Sequence, residues 1–144
     1  MTSPKLLSSK PIPPAERLIF ALDVPSPTTA RQLVETLGDA VRFYKIGLEL
    51  FMAGGYFELI EWLRARDKKV FVDLKFFDVP ETVRSAVRQL QPYGATFATV
   101  HGNDAILRAA VEAAREIGGD LGILAVTVLT SLDRADLDDL GFAC

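Results

Sequence analysis

A single cysteine, Cys144 at the last position, means that no disulfide can form within the chain, and nothing points to an oxidising compartment. Excess positive charge is missing too. A formal net charge of -3 and an isoelectric point near 5.2 leave no broad surface for nucleic-acid phosphates or an anionic membrane. No apolar run approaches the roughly 20 residues of a membrane span. The first 14 residues, MTSPKLLSSKPIPP, lack the continuous apolar stretch of a secretory signal and read as a flexible leader. These absences together lead us to expect a soluble, cytoplasmic protein. Glycine is absent from LDVPSPTT, after the first apolar run, where a dinucleotide-binding fold would need it to approach a pyrophosphate.

What is present is a core. With 49% hydrophobic residues over 144 positions, the chain can bury one ordinary domain, expected over residues 15 to 144. Short apolar runs alternate with amphipathic ones. LIFALDV (18 to 24), VRFYKIG (41 to 47), KVFVDLK (69 to 75), TFATVH (96 to 101) and LGILAVTVL (121 to 129) read as strands. Between them, residues 27 to 38, 56 to 66, 80 to 94 and 104 to 119 read as helices. Ser26 can cap the first of these with Pro27 behind it, and Gly38, Gly94 and Gly118 stand where helices should stop. Strands joined by single helices pair in parallel through right-handed crossovers. The missing glycine turn favours a (β/α)8 barrel over an open doubly wound sheet. Only five strands and four intervening helices are legible, against eight repeats and roughly 250 residues in a closed barrel. The expectation is therefore the N-terminal portion of a barrel.

Chemistry concentrates in VFVDLKFFDVPET (70 to 82). Alternate residues of a strand share a face, so Phe71, Asp73 and Lys75 should point one way and Val70, Val72 and Leu74 the other. The apolar set suits packing under helices, which turns Asp73 and Lys75 toward the barrel axis at the C-terminal end of the strand, with Asp78 in the loop beyond. Three charges this close on an apolar strand need one another or a polar ligand. Lys75 between two carboxylates is expected to keep its proton and act as an acid. The plainer alternative makes Asp78 the N-cap of the helix from Pro80, with Glu81 completing a capping box, and Asp73 with Lys75 a structural ion pair.

Other strand ends carry charge as well. Asp23 closes the first strand, although it could serve simply as a turn residue before Pro25. Lys45, inside FYKIGL, needs a partner if it is buried. With Asp73, Lys75 and Asp78 it would make a network of two positive and two negative groups, which makes burial tolerable. Thr130 reads either as a ligand contact or, with Asp133, as a capping box for a short helix over DRADLDDL. His101, the lone histidine, is expected to pack near the site rather than do chemistry.

The pattern Asp73-x-Lys75-x-x-Asp78 followed by PET resembles the orotidine 5'-monophosphate decarboxylase family. LDV, FYKIGLELF, VFVDLKFFDVPETV, VHG and AVTVLTS occur in that family's order and approximate spacing. Glu81 departs locally, because many members have asparagine there. The resemblance implies a (β/α)8 barrel working as a homodimer, converting orotidine 5'-monophosphate to UMP without metal or organic cofactor. It further implies that Asp23 and Lys45 bind the ribose and extend the charged network. Asp73 would sit against the scissile carboxylate and Lys75 would protonate the carbon left behind. Asp78 would reach into the partner's site with Thr82 beside it on the ribose, and Thr130 would touch the pyrimidine edge. Two alternatives stand beside this one. The first is a magnesium-dependent sugar-phosphate lyase sharing the motif, against which PET and LTS argue. The second is a non-catalytic half-barrel. Residues 1 to 144 alone are expected to show little or no turnover.

Overall fold

The structure is a computed structural model, and it describes residues 11 to 116 and 118 to 141. Most of the expected leader and Cys144 lie outside the described residues. The chain divides into two units, Met1–Val70 and Phe71–Cys144.

The first unit holds β1 (Ile19–Ala21), α1 (Pro27–Leu37), β2 (Phe43–Gly47), α2 (Leu48–Met52) and α3 (Tyr56–Arg64), and it includes the opening of β3 (Lys69–Phe76). β1 pairs with β2 in parallel, Ile19 opposite Phe43 and Ala21 opposite Lys45. Where β3 opens, the Lys69 amide donates to the Arg42 carbonyl at 2.7 Å. Ser26 caps α1 as its sequence suggests, its Oγ accepting from the Thr29 amide at 3.1 Å. Tyr56, Leu59, Ile60 and Leu63 recur at helical spacing and are all buried, which fixes the inner face of α3. They share the core of this unit with Leu22, Ala30, Val34, Tyr44, Ile46 and Leu50. Helix α2 has no counterpart among the expected elements, because at five residues it is too short to show a helical period.

The rest of β3 opens the second unit, followed by α4 (Pro80–Leu90), β4 (Phe97–His101), α5 (Asp104–Glu116), β5 (Gly122–Val126) and α6 (Arg134–Asp139). β3 pairs with β4 and β4 with β5, both in parallel. Helix α4 stops at Leu90, four residues short of its expected end. Pro92 has no amide to continue the ladder, so a single 3-10 turn, Gln91–Tyr93, follows and closes on Gly94 at φ 68. Val83, Val87 and Leu90 of α4 and Ile106, Ala109, Ala110, Ala113 and Ala114 of α5 are buried. Arg84 of α4 reaches Glu112 and Glu116 of α5 at 2.5 and 3.1 Å, and Arg88 reaches Glu116 at 2.5 Å. The hydrogen bond from Arg88 holds the Glu116 carboxyl below the usual carboxylate range.

Hydrogen-bonded strand neighbours follow chain order in both units, β1-β2-β3 in the first and β3-β4-β5 in the second. A doubly wound sheet reverses its order at a switch point, and no reversal occurs here. Five strands with intervening helices in unreversed order are the α/β repeat of a barrel, as the sequence led us to expect. Among the described residues no helix is long and apolar enough to cross a membrane.

One buried cation was not foreseen. The Lys68 side chain is 7% exposed, and its ammonium donates to the carbonyls of Gly38 at 2.6 Å and Val41 at 3.1 Å, with Asp39 at 3.6 Å. It pins the end of α1 and the approach to β2 against the opening of β3. Lys68→Met keeps the aliphatic stem and leaves both carbonyls without a donor. We expect it to lower stability by about 2 kcal/mol, read from the urea midpoint at unchanged slope.

Candidate active site

In the first unit, Tyr44 and Ile46 of β2 are fully buried, and Lys45 between them points to the opposite face. Its ammonium lies 3.3 and 3.4 Å from the two carboxylate oxygens of Asp23, just beyond β1. The Leu22 amide donates to the Lys45 carbonyl at 2.9 Å, which sets the two residues side by side. Asp23 is therefore more than a turn residue. The Lys45 side chain is 24% exposed and that of Asp23 62%, so the pair stands at an open strand end where a polar ligand could reach it.

In the second unit the end of β3 departs from a regular strand. Val72 pairs with Ala98 and Phe76 with Val100, so four steps along β3 match two along β4. The excess is absorbed at Lys75, which has φ 49, a left-handed conformation that costs a non-glycine residue about 1 kcal/mol. The expected two-residue alternation therefore holds for Val70 and Val72, both fully buried, and fails beyond them, where Leu74 is only half-buried. The Lys75 ammonium nevertheless reaches Asp73 Oδ1 at 2.9 Å, with the Asp73 side chain 15% exposed. Strained backbone that survives within a strand gathers at functional sites.

A third member of this cluster escaped the sequence reading. Thr99 of β4 donates its hydroxyl to Asp73 Oδ1 at 2.9 Å and accepts the Lys75 amide at 2.9 Å. Threonine is at home in any strand, so TFATVH carries no signal that would single it out.

Within the second unit, and among the described residues, the remaining expected residues are not bonded to Asp73 or Lys75. Helix α4 begins at Pro80, so its N-cap position falls to Val79 and not to Asp78. Asp78 is exposed and accepts the amide of its neighbour Val79 at 2.6 Å, while Glu81 leans to Arg84 at 3.4 Å. The alternative reading of Asp78 and Glu81 as a capping box is thus not met. Among the described residues Lys75 has one carboxylate partner, Asp73, in place of the two expected. Thr82, in the first turn of α4, and Thr130, beyond β5, are exposed, and no hydrogen bond among the described residues joins either to Asp73 or Lys75. The capping box at α6 forms without Thr130. Asp133 and Asp136 satisfy each other's amides at 3.0 and 3.1 Å, since the helix starts one residue after Asp133. His101 packs as expected, its Nδ1 at 2.7 Å from the Val126 carbonyl and its ring 5.3 Å from that of Phe77.

The family model described as the orotidine 5'-phosphate decarboxylase / HUMPS family matches residues 16–142. The chain belongs to this family. Its similarity to curated members is high. The orotidine 5'-phosphate decarboxylase of Methylococcus capsulatus is 67% identical over 141 residues, covering 98% of this chain and 57% of the relative. That of Xanthomonas axonopodis pv. citri is 53% identical over 138 residues, covering 94% and 56%. The chain therefore spans a little over half the length of these curated relatives. Among solved structures, orotidine 5'-phosphate decarboxylase from Lactobacillus acidophilus superposes with a TM-score of 0.79 at 32% identity, covering 88% of this chain and 59% of that one. The Methanocaldococcus jannaschii orotidine 5'-monophosphate decarboxylase, complexed with the inhibitor BMP, gives 0.66 at 26% identity, covering 75% and 51%.

Proposed function

We propose that this chain supplies the proton donor and most of the charged site of a cytoplasmic orotidine 5'-monophosphate decarboxylase that forms UMP in pyrimidine biosynthesis. The observation that carries the reading is the Lys75–Asp73 pair at the end of β3, 2.9 Å apart and built on a left-handed Lys75. A lysine whose only task were a structural ion pair would need no such backbone. The names of the curated relatives give the reaction.

Decarboxylation breaks the bond between the ring carbon and the carboxylate carbon. The electron pair stays on the ring carbon and neutral carbon dioxide departs. A preplaced ammonium stabilises that developing charge and then donates its proton to the same carbon, and the resulting amine regains a proton from solvent. Lys75 fills both roles, and Asp73 holds it while facing the departing carboxylate. Asp23 and Lys45 bind the ribose hydroxyls. Thr130 touches the pyrimidine edge. In a homodimer, Asp78 and Thr82, which stay clear of the Lys75 pair in their own chain, meet the ribose in the partner's site. None of these steps calls on a metal or an organic cofactor.

The test is decarboxylation of orotidine 5'-monophosphate by the complete protein in the presence of a chelator. We expect UMP and carbon dioxide at an undiminished rate, with BMP as an inhibitor. Turnover that vanishes with chelator and returns with magnesium would move the chain to the sugar-phosphate lyases sharing the motif.

A further inference from the structure

The hydroxyl of Thr99 has its hydrogen-bond directions fixed by its neighbours. The Lys75 amide can only donate and the Asp73 carboxylate can only accept, so the hydroxyl must accept from one and give its proton to the other. The same oxygen, Asp73 Oδ1, also accepts the Lys75 ammonium. The result is a closed ring that leaves Lys75 at its backbone, passes through Thr99 and Asp73, and returns to Lys75 at its head group. Thr99 is 5% exposed, so water does not substitute readily for its hydroxyl.

Thr99 also stands where the ladder fails. The extra residues of β3 between Val72 and Phe76 leave the Lys75 amide out of register with the β4 backbone. A side-chain oxygen takes the place of the missing carbonyl. A part-buried amide on a left-handed lysine would otherwise lose its partner within the chain, and the backbone would gain by turning over, which would swing the ammonium away from Asp73.

We infer that Thr99 is a positioning residue for the proposed decarboxylation, holding Lys75 in its left-handed conformation and Asp73 in line with the ammonium. The inference rests on the proposed function and concerns placement of the acid, not contact with substrate. It separates the hydroxyl from the methyl of the same side chain: Thr99→Val keeps the shape and loses the ring, whereas Thr99→Ser keeps the ring.

The experiment compares the complete protein with Thr99→Val and Thr99→Ser on orotidine 5'-monophosphate, and follows hydrogen exchange at the Lys75 amide by NMR. For Thr99→Val we expect kcat to fall about 100-fold with KM within about threefold of the parent, as a misplaced catalytic group does. Thr99→Ser should stay within about threefold in both constants. Protection of the Lys75 amide should disappear in Thr99→Val and persist in Thr99→Ser. Should Thr99→Val fail to fold, Thr99→Ala takes its place with the same expectations. A folded Thr99→Val with parental kcat, or one that keeps the Lys75 amide protected, overturns the inference, as does an equal loss in valine and serine variants. A parent protein without decarboxylase activity defeats the functional reading, and the exchange comparison then still decides whether Thr99 holds Lys75.

Discussion

Lys75→Ala is expected to lower kcat of the complete protein by about 10⁴-fold, the upper end of what loss of a single acid produces, because stabilisation of the carbon-centred charge goes with the proton. The protein should stay folded, since the lost partner is one part-exposed ion pair. The backbone offers a second, independent readout. Alanine keeps a Cβ at φ 49 and so keeps the strain, whereas glycine adopts that conformation freely. Lys75→Gly should therefore be equally inactive yet more stable than Lys75→Ala by about 1 kcal/mol in urea unfolding. Near-parental turnover in either variant would defeat the mechanism. Equal stabilities would show that the strain at this residue does no more than offset the greater unfolded-state entropy of glycine.

That strain marks the limit of what the sequence could show. Alternation of apolar runs and helical periods gave the five strands and the order of the long helices, because burial of one face imposes the same period on every such element. The pairing of Lys75 with Asp73 was legible too, as was the need of Lys45 for a partner, since charge in an apolar strand must find one, but that Asp23 is a partner of Lys45 was not. The irregular end of β3 was not. A two-residue period assumes an ideal strand, and VDLKFF contains no glycine or proline to announce a break. Thr99 stayed hidden for the same reason, because its role exists only once the register has slipped. Lys68 drew no expectation from its sequence, and only the carbonyls of Gly38 and Val41 explain its burial. At Asp78 and Thr130 the capping alternatives failed by position. An N-cap must directly precede its helix, and the sequence places helix starts less finely than that.

Asp73→Asn is the sharper probe of how the site works. Asparagine has the same shape and still offers an oxygen to the Lys75 ammonium and the Thr99 hydroxyl, so geometry is retained while the charge is removed. In the proposed complex the substrate carboxylate lies against Asp73. Two like charges about 4 Å apart repel by about 4 kcal/mol at the effective dielectric of a partly exposed protein site. That repulsion is present in the ground state and fades as neutral carbon dioxide leaves, so it lowers the barrier without aiding binding. Removing it corresponds to a loss of about 10³-fold in kcat, since each factor of ten is worth about 1.4 kcal/mol. The distinguishing feature is KM. It should stay level or fall, because the neutral side chain no longer opposes the substrate carboxylate, whereas a residue that merely held substrate would raise KM at constant kcat. Steady-state kinetics on Asp73→Asn, with BMP affinity measured alongside, separates these cases, and a raised KM with intact kcat would return Asp73 to the role of a binding contact.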